Sequence, residues 1–333
     1  MKATILKEPK PIEKNPLQEV EMPIPKPGPN DVQIFVNVCG VCHTDLHTVE
    51  GDLKLPKLPI IPGHQIVGIV ENIGKEVKNH RIGERVGVTW LNSACGKCEY
   101  CERGLENLCD DAHFTGLHVN GGYAEYTTLP SYYAFKIPKN FSDEKAVPLL
   151  CAGVIGYRSL RLSEIHPGEN LGLYGFGASA HICIQIARYW GCEVYVFTRS
   201  EEHKKHALKL GAVWAGSAKD SPPKKMDSSI TFAPVGWIVK EALRVLKKGG
   251  TLAINAVHLT PIPEINYELI YHERTLRSVA NLTRSDAEEL LKLAEKIPIH
   301  TDVEIYSLKD ANSVLKRLKK AEIVGAGVLK IKY

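Results

Sequence analysis

Leu171-Gly172-Leu173-Tyr174-Gly175-Phe176-Gly177-Ala178-Ser179-Ala180 is a short apolar run, a glycine turn and the opening of a helix that continues to about Trp190. Gly175-x-Gly177-x-x-Ala180 matches the glycine pattern of dinucleotide sites. Gly175 permits the tight turn, Gly177 lets the backbone approach a pyrophosphate, and Ala180 keeps the helix close to its strand. The helix N-terminus then offers free N–H groups and a positive dipole end to the phosphates. Glycine turns before helices are common, and this one gains its weight from its place between an expected strand and an expected helix. Downstream come a strand at Glu193–Thr198, a charged helix at Glu201–Leu210 and a strand at Ser228–Phe232. A helix over residues 236–247 and a strand at Thr251–Asn255 continue the pattern. Such alternation predicts a parallel sheet covered on both faces.

Upstream of residue 150 the texture differs. Val32, Ile34, Val36 and Val38 alternate with mostly polar neighbours, the period-2 signature of a half-buried strand. Ile66–Val70 and Arg85–Val88 read similarly, and Pro and Gly punctuate throughout, as in Pro23–Pro29. This half is expected to be irregular and mainly β. From about residue 282 an amphipathic helix, Ala287–Lys296, and a final strand, Gly327–Ile331, return the chain to that first domain. There is no internal repeat and no low-complexity segment.

At 333 residues the chain is long enough for about two domains. Its 44% hydrophobic and 24% charged content is ordinary for a globular protein, and a net charge of +4 without long like-charge runs argues against nucleic-acid and membrane binding. No apolar run approaches the roughly 18 residues of a membrane span. The N-terminus, Met1–Glu8, meets charge too early for a signal peptide, so a cytoplasmic protein with reduced thiols is expected.

Cys95, Cys98, Cys101 and Cys109 are spaced Cys-x2-Cys-x2-Cys-x7-Cys in a segment whose other residues suit an exposed loop. Thiolates this close can wrap a tetrahedral ion, and zinc is the usual occupant of an all-sulfur site. Such a site is closed, and its role is structural. Cys42, His64 and Cys151 are scattered in sequence and offer a second set of three ligands, which would leave a fourth position open for chemistry. Cys183 and Cys192 fall in and after an apolar helical stretch and read as buried small hydrophobes. Cys39, three residues before Cys42, reads better as a packed strand-end residue than as a neighbour of the metal.

The second strand of a dinucleotide fold usually ends in an acidic residue that binds the adenosine ribose. Thr198-Arg199-Ser200 stands there instead. A guanidinium between two hydroxyls suits a 2′-phosphate, so NADP(H) is favoured over NAD(H).

Gly40-Val41-Cys42-His43-Thr44-Asp45-Leu46-His47, Pro62-Gly63-His64 and Leu149-Leu150-Cys151-Ala152-Gly153, taken with the cysteine quartet and the glycine turn, closely resemble the zinc-containing medium-chain alcohol dehydrogenases. The likeness covers essentially the whole chain in order and is nearest the yeast-type and cinnamyl alcohol dehydrogenase branches, including Trp90-Leu91-Asn92. It implies an α/β plus mainly β architecture: a GroES-like catalytic domain over 1–151 and 282–333 and a Rossmann coenzyme domain over 152–281, with substrate in the cleft between them. It implies two Zn2+ per chain, a catalytic one on Cys42, His64 and Cys151 and a structural one on the quartet. Asp45 matches the carboxylate that hydrogen-bonds the ligating histidine, Thr44 the hydroxyl that contacts the substrate oxygen, and His47 the outer end of a proton relay. His43 would lie near the coenzyme pyrophosphate. Gln65 stands where the family commonly has Glu, so the exchange of zinc ligands is expected to differ here. Trp90 matches a bulky pocket wall, while Val49 and Leu53 fill spots that are aromatic in the yeast enzyme, which suggests a wider pocket for longer or aromatic primary alcohols. The activity implied is an alcohol dehydrogenase/aldehyde reductase working as a homodimer or homotetramer. Polyol dehydrogenases tend to use Glu where this chain offers Cys151, and zinc-free quinone reductases lack both cysteine sets. A catalytically silent protein binding zinc and NADPH is countered by the intact Thr44 and His47.

Overall fold

The structure is a computed structural model and describes residues 1–331. The last residues of the expected second catalytic segment, Lys332 and Tyr333, lie outside the described residues. The chain divides into two compact units, one of Met1–Cys151 with the segment from Asn281 onward, the other of Ala152–Ala280. Among the described residues no helix is long and apolar enough to cross a membrane.

In the second unit six strands lie side by side as Trp214–Gly216, Glu193–Phe197, Asn170–Tyr174, Met226–Thr231, Leu246–Ile254 and Thr275–Ser278. All neighbours are parallel. Counted along the chain the order is 3-2-1-4-5-6, the doubly wound arrangement whose order reverses beside its first strand. Gly175 begins the turn at the carboxyl end of that strand with φ +87°, a conformation costly for any residue with a Cβ. Because helices cover both faces, the strands carry apolar residues on both: Leu171, Leu173, Val194, Val196, Ile230 and Leu252 have no exposed surface. Each contributes about 1.5–3 kcal/mol by leaving water. Helix Trp237–Val245 lays Ile238, Val239, Ala242 and Leu243 against this core. It ends two residues before the expected 247, because Leu246 already pairs with Met226 and begins the next strand. Lys247-Lys248-Gly249-Gly250 resembles a helix end in sequence, and sheet pairing overrides it.

In the first unit Asp31–Val41 is the central strand, antiparallel to Gln65–Ile73, Tyr126–Pro130 and Ala326–Lys330. The last pairing explains why the C-terminal segment belongs here. The expected strand at 32–38 runs on to Val41 and so delivers Cys42 at its end. Its partner begins at Gln65, directly after His64, and Gly40 pairs with Gln65 in the ladder. Strand register therefore brings Cys42 and His64 together. A Cβ at Gly40 would meet Val147 and Gln65, so glycine there also lets the turn Val147–Leu150 approach, and Cys151 follows that turn.

Candidate active site

Helix His43–Glu50 starts on Cys42, whose Sγ accepts from the Thr44 N–H at 3.3 Å. The Asp45 carboxylate closes this cap by accepting from the Cys42 N–H with Oδ2 at 2.8 Å. Its other oxygen faces Nδ1 of His64 at 3.1 Å. One buried carboxylate thus fixes both the backbone of Cys42 and the ring of His64. With Nδ1 committed to Asp45, Nε2 of His64 is the ligating nitrogen, and it lies 3.6 Å from Cys42 Sγ and 3.5 Å from Cys151 Sγ. Gly63, with φ +92°, turns the chain into His64, and Tyr123 and Cys39 pack where its Cβ would be.

Charge in this cluster is unbalanced in a way a cation would relieve. Burial opposes a charged His64, yet the Asp45 carboxylate and the Cys42 thiolate raise it to about 10. The hydrogen bond from Cys151 favours a thiolate on Cys42, and the same bond, with burial, raises Cys151 well above the usual thiol range. The three ligand atoms lie within 4.8 Å of one another, and two sulfurs with one imidazole nitrogen are a donor set suited to zinc. Cys39 is buried and its thiol is raised chiefly by burial, as a packing residue would be.

The quartet gathers equally well. The sulfurs of Cys95, Cys98, Cys101 and Cys109 are all within 4.8 Å of one another, with Cys95 and Cys101 at 3.9 Å. Sulfurs each about 2.3 Å from one tetrahedral zinc are roughly 3.8 Å apart. The Lys97 N–H, hydrogen-bonded to Cys95, leads in pulling that thiol down to about 7, which favours the ligating thiolate. The segment is anchored through Glu106, a buried carboxylate that accepts from the Arg284 backbone N–H and side-chain Nε, each at 2.9 Å. Neither Glu106 nor Arg284 stands out in the sequence.

Thr44 and His47 are three residues apart on one helix and so share a face. His47 Nδ1 meets the Asp52 carboxylate at 2.7 Å, just past the helix, where Gly51 turns the chain with φ +88°. A carboxylate only accepts, so the neutral ring carries its proton on Nδ1 and its basic lone pair on Nε2. Sequence reading missed Asp52; its spacing of five from His47 and the glycine before it were the available signals. His43 is exposed.

Trp90 is half-buried, with its ring centroid 6.5 Å from that of His64. Phe114 stacks on it at 4.3 Å and 18°, and His118 follows at 5.3 Å. The Phe114 N–H donates to Nδ1 of His118, whose charged form is disfavoured by burial and by His113. The expectation that Val49 lines a substrate wall needs correction: it has no exposed surface and belongs to the buried face of its helix with Asp45, Leu46 and Thr48. Leu53 is half-buried.

In the second unit the Gly175 N–H donates to Phe197 O at 2.8 Å, which ties the glycine turn to the residue before Thr198. Gly177 stands at the N-cap of helix Ala178–Tyr189, and nothing occupies the space its Cβ would fill. Ala180 is fully buried. Thr198 is buried and donates its N–H to Gly216 O, while Arg199 is exposed. Ser200 caps helix Glu201–Lys209 by accepting from the His203 N–H at 3.2 Å, so its hydroxyl oxygen is engaged and its O–H remains a donor.

Residues 28–139 match the alcohol dehydrogenase GroES-like domain, and residues 180–296 match the zinc-binding dehydrogenase domain. A probable alcohol dehydrogenase of Mycobacterium tuberculosis is 45% identical over 99% of this chain and 97% of its own length. The chain belongs to the zinc-containing medium-chain alcohol dehydrogenase family. An alcohol dehydrogenase of Geobacillus stearothermophilus is 37% identical across 100% of this chain and 99% of that relative. Among solved structures, a cinnamyl alcohol dehydrogenase of Sorghum bicolor superposes with a TM-score of 0.88 at 26% identity, covering 99% and 97% of the two chains. The CAD of Helicobacter pylori, solved with NADP(H), gives 0.85 at 26% identity with coverage of 99% and 97%. The mainly β fold of the first unit and the parallel sheet of the second are the GroES-like and Rossmann parts of this family.

Proposed function

We propose that the chain is a zinc-dependent alcohol dehydrogenase/aldehyde reductase, acting on primary alcohols with a preference for NADP(H). Cys42, His64 and Cys151 would hold one zinc, and Cys95, Cys98, Cys101 and Cys109 a second. The observation that carries this reading is the placement of His64 Nε2 between two sulfurs while Asp45 holds its other nitrogen. Held there, zinc would supply Lewis-acid chemistry to an alcohol or aldehyde oxygen, and a bound nicotinamide coenzyme would supply the hydride chemistry.

The chain's own residues handle the proton. The Thr44 hydroxyl would receive a proton from the substrate oxygen and pass it, through a ribose hydroxyl of the bound coenzyme, towards His47. His47, with Nδ1–H held by Asp52, presents the basic nitrogen that collects it. The Trp90–Phe114 stack supplies a flat apolar wall beside His64, which favours longer or aromatic alcohols over ethanol. The open edge of strand Thr275–Ser278, with all four residues exposed, and the exposed Tyr267 and Tyr271 before it support a homodimer or homotetramer. A cytoplasmic setting, where thiols stay reduced, completes the reading.

His47→Gln is expected to slow alcohol oxidation near neutral pH by about 10²-fold or somewhat more, with partial recovery at higher pH or with added base, since general-base help contributes about 10²–10⁴. Asp52→Asn should act in the same direction and more weakly, by loosening the tautomer. Steady-state rates against pH check both, and an unchanged profile for the His47 variant removes it from the proton path.

Cys98→Ser should lower thermal stability, with a fall in Tm on the order of 10 °C, while turnover per folded chain stays near normal. Calorimetry and activity on the same sample test this; lost turnover with an unchanged Tm would overturn the structural role of the quartet.

A further inference from the structure

Four rings meet beside the glycine turn of the second unit. Phe176, buried between the two fingerprint glycines, lies 4.5 Å from His181 between ring centroids. His181 in turn lies 4.7 Å from His206 at 35°, and His203 approaches His181 edge-on at 6.5 Å. Phe176 and His206 are 6.2 Å apart. His181 belongs to the first turn of helix Ala178–Tyr189 and His203 to that of helix Glu201–Lys209, while His206 sits one turn further on, in the last turn of the same helix. Parallel strands deliver both helix N-termini to the same edge of the sheet, where the glycine turn and Thr198–Ser200 also lie.

The charges around the cluster are few. The helix Glu201–Lys209 brings Glu201, Glu202, Lys204, Lys205 and Lys209, and Glu201 is bonded to Lys204 at 2.8 Å. The segment before it brings Arg199. The first turn of helix Ala178–Tyr189 and the glycine turn bring none besides His181. The strand Trp214–Gly216, which accepts the Thr198 N–H, is followed by Asp220, whose carboxylate accepts from the Ser217 N–H. A dianionic group bound at Arg199 and Ser200 would therefore be the largest negative charge near these rings. Imidazole is the side chain that changes charge between about pH 5 and 8, and a nearby anion favours its protonated form.

We propose that His181, His203 and His206 are a proton-coupled part of the coenzyme site, taking up a proton when a 2′-phosphate binds at Arg199 and Ser200. Affinity for the 2′-phosphorylated coenzyme relative to its unphosphorylated counterpart then rises as pH falls from 8 to 6.5. This rests on the NADP(H) reading above. The phosphate itself loses charge as pH falls towards its second ionisation near about 6, which acts in the opposite direction, so the sign of the trend separates the two causes.

The test is calorimetric titration of the zinc-loaded protein with adenosine 2′,5′-bisphosphate and with 5′-AMP, at pH 6.5 and 8, in buffers of different ionisation enthalpy. For the wild type the affinity ratio of bisphosphate to 5′-AMP should rise about fivefold to tenfold on going from pH 8 to pH 6.5. Proton uptake should accompany the bisphosphate and not 5′-AMP. In His203→Gln/His206→Gln, which leaves His181 as the one imidazole of the cluster, both the rise and the uptake should fall by at least half, and the exposed single variant His203→Gln, expected to fold, should reduce them less. A wild-type ratio that is flat or decreases on going from pH 8 to pH 6.5, or a proton count the variants leave unchanged, overturns the proposal while the NADP(H) reading stands. A bisphosphate that binds no better than 5′-AMP at either pH defeats the 2′-phosphate reading itself, and the proposal with it.

Discussion

His64→Ala is expected to remove at least about 10³ of turnover, some 4 kcal/mol of barrier, while the protein stays folded and keeps the zinc of the quartet. His64 is 1% exposed and supplies the only nitrogen among the three gathered ligands. Its loss leaves two sulfurs, too few to hold the metal in an open three-ligand site. It also strands the buried Asp45 carboxylate, which would keep only the Cys42 N–H as a partner. Some loss of stability is therefore expected as well, and Tm must be read beside the rate. Asp45→Asn should cost less, about 10–100-fold in metal affinity or activity, because the amide oxygen can still cap the helix at Cys42 while the ring of His64 is held less firmly. Zinc counted on each purified variant, with turnover per folded chain, checks the series. A His64 variant that keeps wild-type turnover would remove the three-ligand site from the mechanism.

Thr198→Asp with Arg199→Ala should reverse coenzyme choice. Arg199 is exposed at the end of strand Glu193–Phe197, one residue before the helix cap, where its forked donors can reach a phosphate. A hydrogen bond involving a charged group contributes about 1.5–3 kcal/mol, and each 1.4 kcal/mol is tenfold. The unaltered enzyme should thus prefer NADP(H) by about one to two orders of magnitude in kcat/KM at low salt. The double variant should prefer NAD(H), since the new carboxylate binds ribose hydroxyls and repels the 2′-phosphate. Ser200 is best left in place, because its oxygen caps the following helix and Ser200→Ala would cost about 1 kcal/mol of helix stability. An unaltered enzyme that prefers NAD(H) would show that Arg199 points away from the adenosine ribose.

What the sequence disclosed and what it hid follow from how far apart the interacting residues lie. The strand–turn–helix at Leu171–Ala180 was legible because its cause is local: apolar periodicity, a glycine that must take positive φ, a helix start. The alternation beyond it then fixed the kind of sheet, although not that Leu246 leaves the helix to pair with Met226, a contact 20 residues away in the chain. Cys95–Cys109 stood out by spacing alone. Cys42, His64 and Cys151 did not; they meet only because Gly40 pairs with Gln65 and the turn at Val147 packs over Gly40. Spacing does not report such a meeting, and the family resemblance was needed to single them out. The double use of Asp45, the hold of Asp52 on His47 and the Glu106–Arg284 anchor were not legible at all, because each depends on where a side chain points. Val49 was misplaced for the same reason: position in a motif gives the helix but not which of its faces is buried.

The central claim is that an open zinc site on Cys42, His64 and Cys151 carries alcohol oxidation beside a closed structural zinc. It is tested most directly by following zinc content and NADPH formation from a primary aromatic alcohol together during stepwise chelation and zinc return. The closed quartet should exchange slowly, since a thiolate must leave before a chelator can enter. The account predicts two zinc ions per chain at the start, activity falling in step with loss of the first, and activity regained when one equivalent is restored. Active protein that contains one zinc or none, or activity that survives removal of the first, would contradict it.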